Sequence, residues 1–100
     1  MPLRHIVVFR LAAEDTTQRA RDAALIKREL ETLDGRIPQL RSLQVGVDSI
    51  AAQGSWDVVL IADFDDDDGL QAYQRHPAHL SVIGRTRHLH QDRAAVDFEF

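Results

Sequence analysis

Cysteine is absent from this 100-residue chain, so disulfides, thiolate nucleophiles and thiolate metal sites are excluded and the core must hold the fold unaided. Long apolar runs are also missing. None approaches the ~18 residues that span a bilayer, so no membrane partner is expected. The N-terminal Met1-Pro2-Leu3-Arg4-His5 has no basic region, apolar stretch or small-residue cleavage site, so export is not expected and the location is read as cytoplasmic. Basic clusters are lacking too. With a net charge of −4, the chain does not suit sequence-independent binding to nucleic acid, which depends on collected Lys and Arg. The expected partner is small, or is another protein.

What remains is ordinary for a globular protein: 44% apolar and 28% charged residues. Residues 1–100 are read as one domain, with no repeats, linkers or low-complexity segments. Residues 3–11 alternate as Leu3, His5, Val7, Phe9 and Leu11 on one face, and Arg4, Ile6, Val8 and Arg10 on the other. That pattern predicts a first strand. Because the second face is apolar at its centre, the strand is expected to be covered on both sides, so a second layer is needed.

Asp15 with Gln18 resembles a capping box, and Ala23, Ile26, Leu30 and Leu33 follow at helical spacing, predicting a helix from about Thr16 to Leu33. Ala20, Ala23 and Ala24 leave room for close packing on a sheet or for the border of a cavity. Gly35 and Pro38 end that helix, and Leu43, Val45 and Val47 alternate as a second strand. After the turn at Gln53-Gly54-Ser55, Trp56 to Phe64 reads as a central third strand. The Asp65–Asp68 run lacks the glycine and glutamate spacing of a calcium loop, and reads instead as the acidic cap of a helix carrying Leu70 and Tyr73. A helix from Pro77 to about Leu89, loosened near Gly84, and a final strand with Ala94, Val96 and Phe98 complete the order βαββααβ. Four strands with helices on one face make an α+β sandwich of ferredoxin-like type.

Chemistry concentrates in Tyr73-Gln74-Arg75-His76-Pro77-Ala78-His79. Pro77 has no N–H and disfavours helical geometry at His76, so one helix ends there and another begins, bringing Tyr73 and His79 to either side of a corner. An imidazole near neutral pH suits proton abstraction by His79, and a tyrosine hydroxyl suits stabilisation of the enolate that results. The bland roles are a hydrogen-bonded histidine fixing the corner and a tyrosine filling the space beneath it. His5, alone among apolar residues on its strand face, reads first as a core histidine that also lines a pocket with Val7, Phe9 and Val59. His76 chiefly forms the corner and is placed among the substrate-binding residues. His88 and His90 read as solvent-facing at a helix end. A zinc or iron site from His5, His76 and His79 matches no zincin spacing and has no carboxylate obviously placed nearby, so neither metal nor cofactor is expected.

These residues resemble the Dabb family, the stress-responsive dimeric α/β-barrel domains. The likeness rests on Leu3-Arg4-His5-Ile6-Val7-Val8-Phe9, Val45-Gly46, Trp56-Asp57-Val58-Val59-Leu60, the Tyr73 to His79 stretch and Val96-Asp97-Phe98. It implies that two ferredoxin-like units pair sheet to sheet as a homodimer, which agrees with the apolar second face of the first strand. It is also similar to the plant polyketide (olivetolic acid) cyclase branch at Tyr73 and His79, the positions of that branch's catalytic pair, and at His5. It departs from that branch at Asp57, where the cyclases carry histidine, and at Ala23 and Ala24, which stand where they have aromatics. The Tyr73 to His79 stretch beside a strand face that mixes His5 with large apolar residues suits a small apolar carbonyl or phenolic ligand, with cofactor-free proton abstraction as the enzymatic reading and a non-catalytic ligand- or protein-binding dimer as the alternative. Haem degradation or cofactor-free oxygenation, known among related barrels, has no motif here.

Overall fold

The computed structural model describes residues 1–100. Alternation at Leu3–Leu11 produces strand β1, in which every odd residue is buried and every even one from Arg4 to Arg10 is half-buried. Around it, β2 (Ser42–Val47), β3 (Val58–Phe64) and β4 (His90–Glu99) complete an antiparallel sheet of order β2-β3-β1-β4. Helices α1 (Thr16–Glu31), α2 (Asp67–Arg75) and α3 (Pro77–Thr86) lie over its odd face, and a single 3₁₀ turn, Arg87–Leu89, leads into β4. This is the expected ferredoxin-like α+β sandwich. No helix is long and apolar enough to cross a membrane.

The core lies between the layers. Val7, Phe9, Leu60 and Phe64 from the sheet meet Ile26 and Leu30 of α1, Leu70 and Tyr73 of α2, and Val82 of α3. Capping sets where the helices begin. Asp15 Oδ2 accepts from the Gln18 amide at 2.9 Å, and Asp66 Oδ1 accepts from the Gly69 amide at 2.9 Å, each satisfying an N–H the helix leaves without a partner. The acidic run therefore caps α2, with Asp67 and Asp68 in its first turn complementing the helix dipole.

Four differences from the sequence reading have local causes. Helix α1 stops at Glu31 rather than Leu33, because the Thr32, Leu33 and Asp34 amides bond three residues back, tightening the last turn before Gly35 adopts φ +80°. Ala20 and Ala24 are exposed and only Ala23 reaches the core, since the buried stripe runs through Ala23, Ile26 and Leu30. Strand β3 begins at Val58 rather than Trp56, because Asp57 Oδ2 takes the Leu11 amide at 2.8 Å in place of a ladder carbonyl. Strand β4 begins at His90 rather than near Ala94. Its first residues pair with Leu11, Arg10 and Phe9 across a register shift, and as an exposed edge they carry no apolar alternation to reveal them.

The even face of the sheet receives no layer from its own chain. Ile6 and Val8 stand beside Val59 and Ile61 on β3 and Val96 on β4, and Val96 is 63% exposed. The sequence expectation that β1 is covered on both sides is met within one chain on the odd face only.

Asp57 yields a stability prediction. Asp57→Ala leaves the Leu11 amide without its acceptor, at a cost of about 1–3 kcal/mol, whereas Asp57→Asn keeps an oxygen there and recovers most of the loss. Urea unfolding of both variants checks this, and an Ala variant as stable as wild type contradicts it.

Candidate active site

The corner forms as the proline dictates. His76 adopts φ −64° and ψ 136°, ending α2 and capping α3, while Pro77 occupies the first turn of the new helix. The His76 ring is committed to that task, its Nδ1 accepting from the Ala78 amide at 3.0 Å. Tyr73 from the last turn of α2 and His79 from the first turn of α3 then meet with ring centroids 4.5 Å apart. Phe64 at 5.0 Å and His5 at 6.4 Å flank the Tyr73 ring.

Beside this corner lies a cavity of about 360 Å³ between the helices and the sheet. His5, Val7 and Phe9 of β1, Leu60 of β3, and Tyr73, His79 and Ile83 of the helices line it, with Leu30 of α1 at one wall. Of the residues expected at the pocket, Tyr73, His79, His5, Val7 and Phe9 are brought together. Val59 and His76 are not. Val59 is in register with Val8, so the pleat turns it to the opposite face, where it borders a separate depression of about 310 Å³ with Trp56 and Gly46. Leu60, one residue on, takes the position expected of Val59. His76 serves as the cap and does not border the cavity.

The sequence reading missed several participants. His90 is no solvent-facing helix-end residue: it opens β4, packs on Phe9 with centroids 5.1 Å apart, and lines the cavity with Arg87 and Arg93. Nor is His5 without a carboxylate. Its Nδ1 donates to Asp97 Oδ1, and Asp97 stands opposite His5 in the β1–β4 register. The alternation of β4 was visible in the sequence, but only its register against β1 brings Asp97 to His5. This is a pair, and no group of three His, Asp or Glu side chains is arranged to hold a metal ion.

Burial sets the protonation of the corner. The Tyr73 hydroxyl is completely buried and has no hydrogen-bond partner among the protein's groups, and burial pushes its pKa up to about 12. It is therefore a firm donor at neutral pH. His79 has its pKa lowered, first by burial and then by the positive fields of His5 and Arg93, against the opposing effect of the Gln74 carbonyl. That carbonyl lies 3.2 Å from Nδ1 and can only accept. The proton consequently sits on Nδ1, leaving the Nε2 lone pair free to take another.

A family model for the stress responsive A/B barrel domain matches residues 3–100. The chain belongs to this family. Among solved structures, this A/B barrel domain is similar to a dimeric ferredoxin-like protein of unknown function from Thermobifida fusca, with 33% identity, coverage of 100% of this chain and 92% of that one, and a TM-score of 0.82. It is similar to another such dimeric protein from Bacteroides fragilis, at 28% identity, 99% and 96% coverage and a TM-score of 0.87. A hydroxynitrile lyase from Passiflora edulis shares the fold, at 14% identity, 97% and 91% coverage and a TM-score of 0.77. No functionally curated protein matches the sequence.

The chain holds one tyrosine, so its ionisation is directly observable. Absorbance near 295 nm should show the phenol titrating at about 12 rather than the usual 10. The native state holds that proton more tightly, so the contribution to stability is present below pH 10 and lost as pH rises toward 12. His79 acts in the opposite sense: its depressed pKa makes its contribution complete above about 6.5, and that is lost as pH falls through the folded value. A tyrosine titrating at 10 while circular dichroism still reports the native fold would contradict the assignment.

Proposed function

We propose that this A/B barrel domain is a cytoplasmic homodimer whose subunits each bind a small, largely apolar carbonyl or phenolic compound beside Tyr73 and His79, and act on it by cofactor-free proton abstraction. The observation that carries the reading is the buried, unpartnered Tyr73 hydroxyl packed against an imidazole whose burial favours the neutral form. Leaving such a hydroxyl without a partner costs about 1–3 kcal/mol, a cost that a ligand oxygen would offset. Resemblance to the plant polyketide cyclases at Tyr73 and His79 supports the same pair, and the cavity wall of Val7, Phe9, Leu60 and Ile83 suits an apolar body.

In this mechanism Tyr73 donates its O–H to the substrate's carbonyl oxygen, and His79 Nε2 removes a proton from the adjacent carbon. The charge that develops on oxygen is met by the hydroxyl, and ring closure or isomerisation follows from the enolate. Tyr73 has no exposed surface, so binding requires a side-chain adjustment around it, a common event at binding surfaces. His5, held by Asp97 through Nδ1, presents a second imidazole at the pocket wall.

Dimerisation is supported by the open apolar face of the sheet and by the dimeric relatives of the same fold. A two-fold axis would place the same patch of each chain against itself. Light scattering coupled to size exclusion should give about twice the 11.3 kDa chain mass. A monomer at every concentration contradicts the assembly.

The chemistry is tested by screening polyketide-like and β-dicarbonyl compounds for thermal shift and product formation. His79→Ala and Tyr73→Phe should each lower turnover by roughly 10²-fold or more while leaving the fold and assembly intact. Binding without turnover, insensitive to both substitutions, identifies a ligand-binding module instead. Unfolding of either variant assigns the corner a structural role.

A further inference from the structure

The cavity beside Tyr73 is electrically one-sided. Its titratable wall consists of Arg87, Arg93, His5, His79, His90 and Tyr73, with no carboxylate among the lining residues. Asp97 reaches the site only through its bond to His5. In a chain of net charge −4, two guanidiniums with no carboxylate around one concave site run against the overall balance.

The two arginines are also uncommitted. Arg4, Arg10, Arg41 and Arg85 each pair with an Asp or Glu; of the arginines that take part in no ion pair, Arg87 and Arg93 are the two that line the cavity. Register explains why Arg93 belongs to the site. It stands opposite Phe9 on β1, and antiparallel partners share a face, so it falls on the helix-covered side where the cavity lies. Arg87 arrives from the 3₁₀ turn that joins α3 to β4. Both side chains are exposed at the rim of the cavity, and a guanidinium presents a planar fork of donors matched to a carboxylate.

We propose that the compound taken by this pocket carries a carboxylate as well as its carbonyl or phenol, and that Arg93, assisted by Arg87, holds the carboxylate at the β4 side of the cavity while the other oxygen reaches Tyr73. This deepens the functional reading above and rests on it. The substrate class becomes an apolar keto acid or phenolic acid, held at two separated points. Orientation follows, because an apolar pocket with one polar anchor fixes position poorly and two anchors define a direction. A bound carboxylate would also offset the positive field of Arg93 on His79, strengthening the base when substrate is in place.

The test compares 4-hydroxyphenylacetate with its neutral isostere 4-hydroxyphenylacetamide, titrated into ¹⁵N-labelled protein and followed by site-resolved NMR. The acid should bind at least about tenfold more tightly than the amide, consistent with one charge-assisted contact, with shifts at Phe9, Tyr73 and His79. Added salt should weaken the acid only. Arg93→Gln should reduce the acid to the affinity of the amide, with the ¹⁵N spectrum of the free variant reporting that the site is still folded; Arg93→Lys should retain part of the preference. Equal affinity of acid and amide in wild type, or an acid preference surviving Arg87→Gln/Arg93→Gln, overturns the proposal while leaving the pocket reading in place. If neither probe shifts the pocket residues, the pocket reading falls and the proposal with it.

Discussion

The restriction that Pro77 places on His76 is the constraint on which the site depends. A helix running without interruption through residues 67 to 86 would put Tyr73 and His79, six residues apart, on different sides of its axis. Breaking the helix at His76, with that residue capping the new turn, brings the two rings to 4.5 Å. The sheet supplies the other side. β1 is central enough to pair with both β3 and β4, so its odd face carries His5, Val7 and Phe9 beneath the helical corner, and its register with β4 delivers Asp97 and Arg93 to the same side.

Burial then differentiates groups that would behave alike in water. Tyr73, without exposed surface, keeps its proton; His79, half-buried and near other cationic groups, gives its proton up more readily. The result is a donor and an acceptor side by side at neutral pH, the combination that enolate chemistry requires. His76, two residues from Ala78 and bonded to its amide, shows the contrasting outcome: an imidazole in the same stretch spent on holding the backbone.

Much of this was legible in the sequence because it is local. Strand alternation in Leu3–Leu11, the Asp15 cap, the capping role of the Asp65–Asp68 run and the Pro77 break follow from residue types a few positions apart, and the structure reproduces them. What was not legible depends on register and on edge strands. The β4 start at His90 has no alternation to announce it, so His90 and Arg93 were hidden, and only the β1–β4 register pairs Asp97 with His5. Val59 shows how sharp that dependence is: a shift of one residue in a strand exchanges the cavity wall for the opposite face of the sheet.

The central claim is that the Tyr73 hydroxyl is held as a donor for a ligand oxygen. A crystal structure of the protein with a bound phenolic compound tests it most directly. The account predicts the ligand oxygen about 2.5–3.0 Å from Tyr73 Oη, with His79 Nε2 facing the same molecule and Nδ1 still bonded to the Gln74 carbonyl. A hydroxyl bonded instead to a protein group, with the ligand elsewhere on the surface, would contradict it.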